Sequence, residues 1–243
     1  MNYQQRFKRY EIKYLLTMKE KEFIVEMMKP YMKIDKYGHS TIRNVYLDTD
    51  TFRLIRRSLE KPVYKEKLRI RSYKAAKEDD NVFVELKKKY QSVVYKRRLV
   101  VTEAQARECF QKGLKLPVNS QIAEEIEYFR DYYKPLYPKV FISYEREAYE
   151  TVDGSDFRVT FDENILYREE DFSFASEIYG TPILGEGETL MEIKAPNAIP
   201  LWMSRLLTNM QIFKTSFSKY GLAYKNNFQS ERLKFQSNIQ NIC

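Results

Sequence analysis

Lys67-Leu68-Arg69-Ile70-Arg71 and Val84-Glu85-Leu86-Lys87 carry a charge at every second position, a spacing that puts side chains on one face of an extended strand. Arg69 and Arg71 then share a face, and so do Glu85 and Lys87. A single strand of this kind reads most simply as a solvated sheet surface. The alternation recurs, however, at Glu11-Ile12-Lys13, Lys96-Arg97-Arg98, Tyr144-Glu145-Arg146, Arg158 to Asp162 and Glu192-Ile193-Lys194. Together with Lys219, these faces hold ten bases (Lys13, Arg69, Arg71, Lys87, Lys96, Arg98, Arg146, Arg158, Lys194, Lys219) against four acids (Glu11, Glu85, Asp162, Glu192). So basic a surface suits a linear chain of phosphates, which guanidinium groups grip with two parallel hydrogen bonds and ammonium groups meet as point charges. Acids among them would repel such a ligand unless a divalent cation bridges the two. Glu192, helped by Glu11, Glu85 or Asp162, therefore implies Mg²⁺ or Mn²⁺ on oxygen ligands. The competing account of each acid is a salt bridge to a neighbouring base, and for Glu85 and Asp162 the two accounts stand level.

Other chemistries drop out. His39 is the only histidine, so multi-histidine zinc sites are excluded, as is a Ser-His-Asp triad on any other histidine. Its Gly-His-Ser setting reads as an exposed turn. Gly185-Glu186-Gly187-Glu188 is too acidic and too short to cradle phosphate. Two cysteines, Cys109 and Cys243, make no disulfide framework, which points to a reducing, cytoplasmic setting. Neither a signal-like stretch nor an apolar run of spanning length occurs. Docking at the inner face of a membrane remains open. A net charge of +8 over 243 residues biases the partners toward nucleic acid, anionic lipid or phosphorylated molecules.

Elements able to position these faces follow along the chain. Residues 1–9 read as a basic arm and Tyr10 to Leu16 as a strand. Thr17 with Glu20 then forms a capping box for an amphipathic helix that stops at Pro30. Thr41 to Leu47 has strand composition, Asp48-Thr49-Asp50-Thr51 reads as an Asx-type turn, and Phe52 to Leu59 as a helical turn or two. Tyr64 to Tyr73, Val82 to Lys88 and Val93 to Val101 form an antiparallel meander. Thr102 with Gln105 opens a helix ended by Gly113, and another runs from Asn119 or Ser120 to Pro135. Val140 to Thr151 and Phe157 to Asp162 are strands joined at Asp153-Gly154. Residues 168–188 are acidic and aperiodic and read as a mobile loop. Thr189 to Lys194 is the last strand, Pro200 a first helical position, and 226–243 a polar tail or a frayed helix on a single domain of residues 1–225.

So many cations could be buried only wet, paired or matched to a polyanion. A water-filled barrel meets that condition if Leu68, Ile70, Val84, Leu86, Val159, Phe161 and Ile193 point outward beneath helices. The expected fold is α+β, with an antiparallel barrel flanked by amphipathic helices.

Seven short motifs carry a resemblance: Glu11-Ile12-Lys13-Tyr14, Leu68-Arg69-Ile70-Arg71, Phe83-Val84-Glu85-Leu86-Lys87, Tyr144-Glu145-Arg146, Arg158 to Asp162, Leu190 to Lys194 and Ser216 to Tyr220. In this order, over roughly residues 8–225, they resemble the VTC domain, the polyphosphate polymerase branch of the triphosphate tunnel metalloenzymes. The resemblance implies a tunnel barrel of about eight strands that binds a nucleoside triphosphate and a growing polyphosphate chain. It implies Lys13, Arg69, Arg71, Lys87, Arg146 and Arg158 as the bases at the reacting phosphates. Lys96, Arg98, Lys194, Ser218 and Lys219 are then further phosphate contacts, and Glu192 with Glu11 the metal ligands. The hydrolase and cyclase branch opens with Glu-x-Glu-x-Lys, whereas Arg9 holds the first of those positions here.

The expected activity is metal-dependent transfer of the ATP γ-phosphoryl group to phosphate or a polyphosphate chain. Hydrolysis of a triphosphate, and binding of polyphosphate or nucleotide without turnover, are the alternatives. Nucleic acid is disfavoured because the bases fall on an inner face. A membrane-protein partner is left open, with the arm and tail as its attachment points.

Overall fold

Every alternating stretch becomes a strand of one antiparallel sheet. The computed structural model describes residues 6–91 and 93–227. In chain order these form β1 (Arg6–Thr17), α1 (Met18–Met28), β2 (Met32–Asp48), α2 (Arg53–Leu59), β3 (Tyr64–Ser72), β4 (Asn81–Tyr90) and β5 (Val93–Thr102). Then come α3 (Glu103–Gln111), α4 (Gln121–Tyr133), β6 (Tyr137–Thr151), β7 (Arg158–Arg168), β8 (Thr181–Pro182), β9 (Glu188–Ala195), α5 (Leu201–Asn209) and a last helix, α6 (219–227). Neighbouring strands follow the order β6-β2-β3-β4-β5-β1-β9-β7-β8, and a further pairing of β6 with β7 joins both sides of that order around a common interior. β8 stands outside it on β7.

Register decides what faces inward. Arg69 lies opposite Glu85, and Glu85 opposite Arg98. Lys67, Lys87 and Lys96 form the next rung, and Lys13, Glu192 and Thr160 another. Opposed residues in an antiparallel ladder share a face, so one parity collects the charges and the other collects Leu68, Val84, Leu86, Val159 and Ile193, all fully buried. These outward residues form two cores. One lies with Ala106, Phe110, Ile122, Ile126 and Phe129 of α3 and α4; the other lies with Ile24 and Met28 of α1 and Met203, Leu206 and Leu207 of α5. Each fully buried aliphatic side chain contributes about 1.5–3 kcal/mol, so the helices are what make a charged interior affordable. A third core uses the inward parity: Ile42, Val140, Ile142 and Leu190 take Ile55 of α2 and Tyr220 and Ala223 of α6. Part of the interior is therefore dry.

Helix starts follow the sequence closely. Thr17 with Glu20, and Thr102 with Gln105, close capping boxes, and Ser120 caps α4 through the Ala123 N–H. Asp48 goes further than an Asx turn: it accepts the N–H groups of Thr49, Leu54 and Ile55 and the hydroxyl of Tyr220, tying β2 to α2 and α6.

Several expectations are corrected. Residues 6–9 extend β1 rather than forming an arm; 1–5 lie outside the described residues. β2 begins at Met32, well before Thr41, because Gly38 takes a left-handed φ of 54° at an irregularity between Ile34 and His39 and lets the strand continue. His39 is accordingly in a strand rather than a turn, though exposed as expected. Pro200 is the N-cap of α5, not its first residue. Of the stretch 226–243, read as a tail or a frayed helix, residues 226 and 227 continue α6 and the rest lies outside the described residues.

Segment 168–188 is not a free loop. Phe174 is buried in a core, and the buried Arg168 donates to the carbonyls of Asp171, Ser173 and Tyr179 while its guanidinium lies 3.7 Å from the Phe141 ring centre. Arg43 adds bonds to the carbonyls of Phe174 and Ser176. Lone carbonyls supply the order that apolar periodicity would have advertised. Arg168→Ala should release the segment, lowering stability by roughly 2–3 kcal/mol through orphaned carbonyls and lost ring contact. Limited proteolysis within 169–187 would read this out, and an unchanged cleavage rate would show that other contacts hold it.

Candidate functional site: a charged tunnel

The interior is a cavity of about 1800 Å³ lined by the strands' charged parity and by residues 214–219, 221, 222 and 225 of the C-terminal segment. Its charges are grouped around carboxylates. Glu85, fully buried, accepts from Arg69 (2.7 and 2.9 Å), Arg98 (2.8 Å) and Lys96 (3.4 Å), with Arg71 at 3.9 Å. Burial opposes its charge, yet Lys96, Arg69, Arg71 and Arg98 outweigh burial and hold the carboxyl well below the usual range. Asp162, also fully buried, takes a two-pronged bond from Arg146 (2.6 and 2.7 Å) and the Lys219 ammonium at 2.5 Å. Burial again works against ionisation, and Arg146 and Lys219 overcome it.

Glu192 is the meeting point. Lys13 lies at 3.1 Å, Lys194 at 3.2 Å, and Arg146 and Lys219 at 3.3 Å. Against burial, these four cations keep its carboxyl well below the ordinary value. Glu11 pairs with Lys87 at 2.6 Å, and burial notwithstanding its carboxyl falls to about 2. Burial pulls the Lys194 ammonium down to about 8, more than Glu192 can restore.

Of the bases singled out in the sequence, Lys13, Arg69, Arg71, Lys87, Lys96, Arg98, Arg146, Lys194 and Lys219 all line this cavity, and both Lys96 and Arg98 face inward. Arg158 also lines it but is nearly half exposed, its nearest acid Asp156 at 4.0 Å, so it stands at the rim. Ser218 caps α6 through the Gly221 N–H and faces the cavity.

Tyr46, Tyr144 and Lys67 are among the lining residues that were not singled out, and the buried Asn44 beside Arg71 was not singled out either. Tyr46 accepts from Arg69 at 3.1 Å and stacks on Tyr220; Tyr144 accepts from Arg71 at 2.9 Å; Asn44 Oδ1 accepts from Arg71 at 2.8 Å. Lys67 donates to Ser218 Oγ at 2.9 Å. Lys67 and Tyr144 share the parity of Arg71 and Arg146, a signal already present in the alternation. Tyr46 and Asn44 sit in a stretch with no charge alternation to mark a face.

A divalent cation can be tested against these donors. Among the described residues no three His, Cys, Asp or Glu side chains are grouped to cage a metal ion. Glu192, close enough to Glu11 and Asp162 for their charges to interact, offers hard oxygens for an ion whose other ligands are phosphate oxygens and water, the usual arrangement for Mg²⁺ at phosphates. These residues fit a cation that arrives with its phosphate ligand.

The VTC domain family model matches residues 8–228. The chain belongs to the VTC domain family. Among solved structures, this VTC domain is similar to a candidate adenylate cyclase from Bacillus halodurans, at 14% identity and a TM-score of 0.58 over 88% of this chain and 96% of that one. A candidate adenylate cyclase from Vibrio parahaemolyticus (10% identity, TM-score 0.44, 92% and 99% coverage) and a protein from Pyrococcus horikoshii OT3 (12%, 0.44, 90% and 99%) also match. At such identity the Bacillus likeness speaks for the fold alone, an antiparallel sheet curled around a tunnel. No match was found among curated proteins. No helix of the VTC domain among the described residues is long and apolar enough to cross a membrane.

Proposed function

We propose that this VTC domain is a polyphosphate polymerase that transfers the γ-phosphoryl group of ATP to phosphate or a polyphosphate chain. The observation that carries this reading is the family match over nearly the whole chain, taken with a tunnel whose strands direct bases into one cavity. Arg69 and Arg71 on β3 and Arg146 on β6 would hold phosphate oxygens by paired N–H donors, with Lys13, Lys87, Lys96, Arg98, Lys194 and Lys219 adding charge from other walls and Arg158 receiving the chain at the rim. Glu192, with Glu11 beside it, would hold Mg²⁺ or Mn²⁺ together with the phosphates. When bound, the cation would offset charge on the transferred group. The fixed guanidinium groups contribute most where charge develops in the transition state, because their orientation is set beforehand by Glu85 and Asp162.

Incubation with ATP and Mn²⁺, followed by gel analysis, tests the reading. Long-chain polyphosphate with release of ADP supports it, free phosphate alone makes the protein a hydrolase, and tight binding without ADP release makes it a sensor. A finer test addresses Arg71, 6% exposed and held by Asn44 and Tyr144. Arg71→Lys keeps the charge and loses the fork, so tripolyphosphate affinity should fall by about tenfold, measured by calorimetry, with the fold intact. Unchanged affinity would remove Arg71 from the site.

A further inference from the structure

Lys67 differs from the carboxylate-paired cations of the tunnel described above. Among the described residues no carboxylate lies within 4 Å of it. Its ammonium nitrogen instead meets Ser218 Oγ at 2.9 Å and stands 6.0 Å from the Tyr220 ring centre. Ser218 Oγ accepts a second hydrogen bond, from the Gly221 N–H at 3.1 Å, so its own hydrogen is free to be given up. Both side chains line the cavity assigned above to the triphosphate. Next in sequence, Lys219 reaches Asp162 and Glu192; before it, the Phe217 carbonyl accepts from Lys13 at 3.0 Å. The segment that presents Ser218 is thus fixed to three tunnel walls.

A serine whose oxygen lies within hydrogen-bond distance of a lysine amine is a known form of activated nucleophile. We propose that Ser218 is a phosphoryl acceptor: its Oγ attacks the γ-phosphorus of the bound triphosphate with Lys67 as the base. The inference rests on the tunnel's being a triphosphate site. A bond forms between Ser218 Oγ and the γ-phosphorus as the bond to the β,γ-bridging oxygen breaks. The nucleoside diphosphate leaves with that electron pair, and the hydroxyl proton passes to the neutral Lys67 amine. In the second half an acceptor phosphate oxygen attacks the phosphoserine, and Oγ departs and recovers its proton from Lys67. Burial first, then the positive charges of Lys13, Lys87, Lys65 and Arg69, disfavour the protonated form of Lys67, as the base role requires. Those same neighbours, together with the rest of the tunnel, meet the ligand's charge.

Two measurements decide it. Mixing the full chain with ATP and Mn²⁺ and quenching in acid should add the mass of one phosphoryl group, mapped to the peptide carrying Ser218. The label should be absent in Ser218→Gly, which keeps a residue tolerated at a helix N-cap, and at least about tenfold slower to appear in Lys67→Met. Independently, transfer of a γ-phosphorothioate made chiral by oxygen isotopes should proceed with retention of configuration at phosphorus, the result of two displacements. Inversion in the wild-type enzyme, or turnover undiminished in Ser218→Gly, would overturn the inference while leaving the triphosphate site standing. Failure of the wild-type chain to bind tripolyphosphate would instead remove the reading on which it rests.

Discussion

Glu192→Gln is expected to cut metal-dependent turnover by about 10²–10³-fold, the rate equivalent of the several kcal/mol a divalent cation contributes at a phosphoryl group. Without divalent cations the same variant should bind tripolyphosphate more tightly, by roughly tenfold, because a negative charge inside the cavity has been removed. The second half of this expectation comes from the geometry. Glu192 is contacted by Lys13, Lys194, Arg146 and Lys219 within 3.3 Å, so it competes with a phosphate chain for the cations that would bind one. Gln preserves shape and one hydrogen-bond acceptor while giving up that competition. If Glu192 served only to neutralise its neighbours, the variant would keep its turnover and lose stability. ADP release titrated with Mn²⁺, alongside calorimetry in EDTA, tells the outcomes apart, and retained turnover with an ordinary metal dependence would end the assignment.

How far the sequence reveals such a site depends on which physical constraint wrote each stretch. Charged-apolar alternation is imposed by a barrel that is wet inside and covered outside, and it marks the strands and the bases that cluster around the buried carboxylates. Capping boxes at Thr17 and Thr102 are local, and so are legible. What is not legible is long-range. Segment 168–188 is held by the side chains of Arg43 and Arg168 reaching its carbonyls, contacts with no sequence period. Tyr46 and Asn44 are placed by register between β2 and β3, which a single strand does not disclose. Lys67 is the instructive case: it lies in the very motif that marks the face, yet its distinction from Arg69 comes from Ser218, a residue 151 positions away.

Pairing of the acids could not be read from the sequence at all, because a carboxylate on the inward face suits a metal and a salt bridge equally. Burial separates them. All four are paired with cations, but Glu85 and Asp162 are fully buried, whereas Glu192 and Glu11 keep a little exposure. Metal binding needs access for the phosphate that completes the coordination, and only the second pair retains it.

That distinction gives Glu85 a different expected phenotype. Glu85→Gln should lower folding stability by about 3–5 kcal/mol, since Arg69, Arg98, Lys96 and Arg71 would be left clustered around a neutral group. Lys96 is the member able to relieve this, as burial already holds its ammonium well below the usual 10.5 even with Glu85 present. In the variant the folded chain would give up the Lys96 proton at still lower pH while the unfolded chain keeps it to about 10.5. The unfolded state then binds more protons across that interval, so the variant's stability should rise with pH there more steeply than the wild type's. Tripolyphosphate should also rescue it: an anion supplying the missing charge binds the folded state alone, so the shift in unfolding temperature at saturating ligand should exceed that of the wild type. A second change, Lys96→Met in the Glu85→Gln background, removes one of the uncompensated charges and should recover part of the loss, a coupling that a thermodynamic cycle measures directly. Equal stability of Glu85→Gln and wild type, with equal ligand shifts, would mean that the cluster is compensated by water and that Glu85 does not set the orientation of Arg69 and Arg98.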